Sequence, residues 1–295
     1  MTEKPSESLN HWGTFPQRNK RHRFPGTKSG WLHVLVLALL SMGLWLNCGN
    51  QHSYEILDTP YQIVDQWGKS RAYTVYIPSS RKGIPLLVYF HGVMSDGFNS
   101  IPALADYTGS PVEETGLVEF CRRNHIMLLA PRPAYTYTFL NRRASGWLPF
   151  EREADGVEQL IDRIIKEYPV SAGEVYLAGI SAGAGFCHHL ANHRPGFYSA
   201  ILSHSQGYVN EKNDLLKPGI PGPQFGVVFA YTRGDYDNLV DVCVGSERIY
   251  RQSGYQTVLL KNLAPINHSW DRESNRRFWR YLKKVGRHLD STNVR

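Results

Sequence analysis

Glu174-Val175-Tyr176-Leu177-Ala178-Gly179-Ile180-Ser181-Ala182-Gly183 sets an apolar run directly before a G-x-S-x-G pentapeptide. Val175 to Ala178 has the composition of a strand buried on both faces, and Ala184 to Asn192 suits a helix. A strand, a sharp turn and a helix form the setting that lifts a serine above the carboxyl end of a sheet. Glycines belong there because the strand and helix approach too closely for side chains, while the serine takes a strained backbone position. Ser181 is therefore the candidate nucleophile.

The surroundings repeat the same architecture. β-rich apolar runs recur at 72–78, 85–90, 126–130, 174–178, 198–202, 226–231 and 257–261. Asp155 with Glu158 three residues on forms a variant capping box, and Val157, Leu160, Ile161, Ile164, Ile165 and Tyr168 share one helical face before Pro169 stops it. A last helix carries the stripe Phe278, Tyr281, Leu282, Val285 and Leu289. Strands alternating with helices predict an α/β fold, a mostly parallel central sheet with helices on both faces, in one domain over 51–295. The Gly/Pro-rich stretch 217–223 reads as a loop between strands.

With 295 residues, 42% of them hydrophobic, the chain can bury a large core and is not intrinsically disordered. Its net charge of +7 raises nucleic-acid binding, but Lys4, Arg18, Lys20, Arg21, Arg23 and Lys28 face only Glu3 and Glu7 within residues 1–30. The rest is only mildly basic, and the Arg276 to Arg287 cluster reads as a solvated helix face, so no nucleic-acid partner is expected. The basic run before the apolar stretch Trp31 to Leu46 reads as a leader over 1–50 that exports or anchors the chain, placing it outside the cell or on the envelope. That stretch falls just short of the roughly 17 to 25 residues of a comfortable membrane span. Cleavage is the expected fate, membrane association through the segment the alternative; Cys48 lacks the small neighbours of a lipidation site. Cys121, Cys187 and Cys243 form no C-x-x-C pair, so neither a disulfide framework nor a zinc ribbon is predicted. Without H-E-x-x-H, a P-loop or G-x-G-x-x-G, no metal or nucleotide cofactor is expected.

A serine hydroxyl is a weak nucleophile and needs a base, itself oriented by a carboxylate. Past the elbow the carboxylates are Asp235, Asp237 and Asp241, following the strand 226–231. Among the histidines, His268 lies between the last strand and the last helix, where the base belongs. His188, His189, His193 and His288 read as structural or surface groups, with His204, just past a strand, less clearly so. Asn267-His268-Ser269 is also a glycosylation sequon, read as coincidental because sugar there would block the site. Oxyanion donors are expected at the backbone N–H of Ala182 and in the turn His91-Gly92-Val93-Met94, at Val93 or else Met94.

These segments resemble the α/β-hydrolase superfamily, and within it secreted esterases related to polyhydroxybutyrate depolymerases and feruloyl esterases. The resemblance spans about Arg71 to Gly286. It rests on Val88-Tyr89-Phe90-His91-Gly92, on Glu167 to Gly183, on Gly234-Asp235-Tyr236-Asp237-Asn238-Leu239-Val240 and on Asn267-His268-Ser269-Trp270. It implies a Ser181-Asp237-His268 triad, because Gly234-x-x-Asp237 matches the family's acid loop, and an acyl-enzyme route to carboxylic-ester hydrolysis. The sequence departs at Val93-Met94-Ser95-Asp96-Gly97 and at Ala182-Gly183-Ala184-Gly185-Phe186, both beside the acyl pocket. Tyr135, Tyr137 and Trp147 lie in an aromatic and basic insertion that either lines a cleft for an aromatic or polymeric ester or packs against the domain; with Trp270 they are the expected substrate contacts. A compact serine peptidase of the prolyl-oligopeptidase type and a non-catalytic binding scaffold are the competing readings.

Overall fold

The computed structural model describes residues 54–64, 68–79, 83–95, 110–139, 142–219 and 225–286. The leader read at 1–50, His288 and Leu289 lie outside the described residues.

Among the described residues the main sheet has eight strands: β1 (Tyr54–Val64), β2 (Ser70–Pro78), β3 (Ile84–Phe90), β5 (Met127–Pro131), β8 (Val170–Ile180), β9 (Ala200–His204), β10 (Gly226–Thr232) and β11 (Thr257–Leu263). Their order is β1-β2-β5-β3-β8-β9-β10-β11, antiparallel where β2 meets β1 and β5, and parallel from β5 to β11. All seven β-rich runs read from the sequence fall on these strands. β1 does not stand out in the sequence: Pro60 interrupts it, and a proline is tolerated there because the strand is at the sheet's edge.

Five α-helices are described: α1 (Leu117–Arg123), α2 (Phe150–Glu167), α3 (Ala182–His193), α4 (Asp237–Gln252) and α5 (Asn275–Val285). They cover both faces. In β3, Leu86, Val88 and Phe90 point into the core shared with α2, α3 and α4, including Leu160, Phe186 and Tyr250. Leu87 and Tyr89 point the other way, into a second core with Cys121 of α1 and Phe278 and Leu282 of α5. This alternation is why β3 is apolar throughout. Each fully buried Leu, Ile or Phe stabilises the fold by roughly 1.5–3 kcal/mol.

The capping box placed the start of α2 too late. The helix begins at Phe150 after Pro149, with Glu151 and Glu153 in its first turn, and Asp155 lies inside it. Its apolar stripe and its end before Pro169 are as read. Cys121, Cys187 and Cys243 are buried and free, and burial pushes their thiols up, so they behave as small apolar side chains.

The aromatic insertion forms a small sheet rather than a loose loop. β4 (Met94–Ser95), β6 (Thr136–Phe139) and β7 (Arg142–Ser145) pair antiparallel in the order β4-β7-β6. A buried ion pair anchors it. Arg71 Nη1 lies 2.6 Å from Glu153 Oε2, with 2% and 0% of the two side chains exposed. Arg71 also donates to the carbonyl of Arg132, while Glu153 Oε1 accepts the backbone N–H groups of Ala134 and Tyr135, each at 3.0 Å. Burial raises the Glu153 carboxyl, against the pull of Arg71 and these N–H donors. Removing one partner of such a pair strands the other charge, so Glu153→Ala is expected to cost about 3–5 kcal/mol in urea unfolding. The loss should exceed that of any exposed pair, such as Arg163–Glu167.

Candidate active site

The parallel strands β8, β9, β10 and β11 end side by side, and the chemistry-bearing residues follow their carboxyl ends. Ser181 comes directly after β8 and caps α3 with φ 54° and ψ −125°. A non-glycine residue held there costs on the order of 1–3 kcal/mol, and the surrounding packing over-determines it. A Cβ on Gly183 would stand 2.2 Å from the carbonyl oxygen of Phe90 and 2.5 Å from that of His91, so only glycine lets α3 seat against the turn after β3. The sequence pattern and the backbone agree in detail here.

His268 follows β11, and its Nδ1 lies 2.7 Å from Asp235 Oδ1. The Asp235 side chain is 0% exposed; its second oxygen, Oδ2, accepts the Ser205 hydroxyl at 2.6 Å and the Thr232 N–H at 2.7 Å. Burial opposes ionisation of Asp235, but the hydrogen bonds from His268 and Ser205 outweigh it and hold the carboxyl below its ordinary range. An ionised carboxylate only accepts, so His268 Nδ1 carries the proton and its Nε2 lone pair is left to act as a base.

This geometry corrects the expected acid. Asp237 is the exposed first residue of α4, where a carboxylate suits the helix dipole, and the carboxylate hydrogen-bonded to His268 is Asp235. Gly234 makes the difference. A Cβ there would lie 2.1 Å from the carbonyl carbon of Ile266, so the acid loop presses directly on the His268 loop and the next residue, Asp235, meets the imidazole.

A cleft of about 510 Å³ brings Ser181, Ala182, Val93 and His268 together, four of the residues read as catalytic or oxyanion-binding. Tyr137, Leu148 and Phe150 are among its apolar lining residues, and Gln206, Asn210, Glu211, Asn213 and Asn238 among its polar ones. These polar residues were not read from the sequence: they belong to the segment after β9 and the first turn of α4, where they carry no distinctive spacing.

The four expected substrate aromatics separate. Tyr137 lines the cleft from β6, and burial pushes its hydroxyl up to about 12. Trp147 borders the cleft but is 0% exposed; its Nε1 donates to the His91 carbonyl at 2.8 Å and its ring stacks on Phe186. It supports the turn after β3 at His91 rather than offering an exposed face. Tyr135 stands away from the cleft lining, with Lys69 6.0 Å from its ring centroid. Trp270 is in the core, edge-on to Tyr89 and donating to Asn275, so it is a structural residue. Adjacent to Ser269 and His268, it fixes the His268 loop instead of meeting substrate.

Of the other histidines, His188 is buried between Tyr250 and Ser203, and burial lowers it to about 3. His189 stacks on Phe150 and bonds the Val209 carbonyl, and His193 is exposed beside Glu158. These three are structural or surface groups, as read. His204 is buried, with Asp235 among the charged groups that act on it.

No family model matches the sequence, and no curated protein matches it. Solved structures do. A ferulic acid esterase is similar over 80% of this chain and 97% of its own, at 16% identity and a TM-score of 0.52. EstE1, a thermophilic carboxylesterase cloned from a metagenomic library, is similar over 86% of this chain and 96% of its own, at 14% identity and 0.53. An S-formylglutathione hydrolase from Staphylococcus aureus is similar over 80% and 99%, at 11% identity and 0.52. The chain has the α/β-hydrolase fold. At these identities the likeness extends to the fold alone.

Proposed function

We propose that the chain is a serine carboxylic-ester hydrolase working through an acyl-enzyme, with Ser181 as nucleophile, His268 as base and Asp235 as the orienting acid. The observation that carries this reading is the buried Asp235–His268 hydrogen bond at the cleft that Ser181 lines from its strained turn. In the reaction, Ser181 Oγ adds to the ester carbonyl as His268 Nε2 takes its proton, and Asp235 stabilises the imidazolium. The N–H groups of Ala182 and Val93 receive the oxyanion. The imidazolium then protonates the departing alcohol, and water releases the acid from Ser181 by the same steps.

The aromatic lining residues Tyr137 and Phe150 suit an aromatic or extended acyl group, and the asparagines that also line the cleft suit a hydroxylated alcohol part. The basic and apolar leader at 1–50 goes with export or envelope attachment in this reading. The test is turnover of the purified full chain on short-chain, hydroxycinnamate and polymeric esters beside peptide amides. Ester turnover with preference for the aromatic acyl series is expected. Cleavage of amides alone would move the reading to a peptidase, and turnover of neither class would end it.

A further inference from the structure

His204 and Ser205 connect the two halves of the site. They follow one another at the end of β9, between the strand that carries Ser181 and the strand that leads to Asp235. The backbone carbonyl of His204 accepts the N–H of Ser181 at 2.8 Å. The Ser205 hydroxyl lies 2.6 Å from Asp235 Oδ2, and His204 Nδ1 lies 2.7 Å from the same hydroxyl. Ser205 is held at φ 59°, a second strained non-glycine residue one strand away from Ser181.

The proton positions follow from valence. A hydroxyl has one hydrogen, and an ionised carboxylate can only accept, so Ser205 donates to Asp235. His204 Nδ1 must then donate to Ser205. Burial lowers His204 to about 4 despite Asp235, so near neutral pH it is uncharged and carries that single proton on Nδ1. Its Nε2 is buried and, among the described residues, has no hydrogen-bond partner. A buried acceptor without a donor is costly to keep unless the ring serves another purpose. The charged and titratable groups facing His204 are Asp235, His268 and Asp271. The ring itself is held flat against Trp270, with centroids 5.3 Å apart, and edge-on to Phe278.

From this geometry we infer that His204 and Ser205 are positioning residues, a directed chain from His204 Nδ1–H through the Ser205 hydroxyl to Asp235 that fixes the carboxylate facing His268. The inference rests on the hydrolase reading above. The chain fills one lone pair of Asp235 with a donor that cannot rotate away, leaving Oδ1 aimed at the imidazole. It also ties the acid to the backbone of the nucleophile turn through one dipeptide.

The test is steady-state ester kinetics of the full-length protein against pH, with melting temperatures, for Ser205→Ala, His204→Phe and His204→Asn. Ser205→Ala should lower kcat about tenfold with KM little changed, the size expected from one hydrogen bond to a charged group. It should also move the acid limb of kcat/KM to higher pH, because a carboxylate with fewer donors attracts the imidazolium more strongly. His204→Phe keeps the ring packing but has no donor, so it should be slow yet well folded. His204→Asn keeps an N–H donor near the place of Nδ1 but loses the stacking, so it should melt lower and turn over faster than His204→Phe. If Ser205→Ala does not fold, the ranking of the two His204 variants decides. Wild-type kinetics in the variants, or turnover that simply follows melting temperature with the acid limb unmoved, would overturn the inference while leaving the hydrolase reading intact. A wild-type protein that neither hydrolyses esters nor reacts with a fluorophosphonate would remove both.

Discussion

Ser181→Ala is expected to lower ester turnover by on the order of 10³-fold or more while leaving the melting temperature within a few degrees of wild type. The substitution removes the attacking oxygen and nothing that the fold leans on. Alanine keeps the Cβ already accommodated at φ 54°, so the strain of the turn is unchanged, and the N–H of residue 181 still reaches the His204 carbonyl. The residual rate would come from the oxyanion donors and the bound orientation of substrate. Stopped assays with a chromogenic ester, paired with thermal melts, check both halves of this result.

Asp235→Asn should cost roughly 10²-fold to 10⁴-fold in kcat, and Asp237→Asn should be close to neutral. Three donors converge on Asp235: His268 Nδ1–H, the Ser205 hydroxyl and the Thr232 N–H. An amide offers one oxygen to share among them. If that oxygen stays with Ser205 and Thr232, the amide NH₂ faces His268 and forces its proton onto Nε2, where it can no longer accept from Ser181. If the amide flips, Ser205 and Thr232 lose their acceptor, and stability falls instead. Asp237 has no such convergence; as the exposed first residue of α4 its replacement forfeits only part of a favourable helix-dipole contact, about 0.3–1 kcal/mol. Parallel kinetic and melting measurements on the two variants separate these outcomes, and the opposite ranking would return the acid to Asp237.

The pair shows where sequence reasoning reached its end. Gly179-Ile180-Ser181-Ala182-Gly183 was legible because the turn admits few residue types, and the structure places it between β8 and α3. Buried parallel strands were legible for the same reason: both faces of β3 and β10 need apolar side chains, so the run is continuous. The acid was not legible. Asp235 and Asp237 both follow β10, and the family-like spacing from Gly234 pointed to the second. The deciding fact is a contact between loops far apart in sequence, Gly234 against Ile266, and a single chain carries no sign of it except that position 234 is glycine. Trp270, expected as a substrate contact alongside the family-like Asn267 to Trp270 segment, lies in the core instead, since residues two apart in a loop can point into the site and into the core. The hairpin of β6 and β7 did leave a signal: Thr136-Tyr137-Thr138-Phe139 alternates with the period of a strand. Its aromatic content drew the reading toward ligand contact instead.

Reaction of the full-length protein with a fluorophosphonate, followed by proteolysis and mass spectrometry of the modified peptide, tests the central claim most directly. The account predicts one stoichiometric adduct, on Ser181, formed in step with the loss of ester turnover. An adduct on a different serine, or unimpaired hydrolysis after Ser181 has been fully modified, would contradict it.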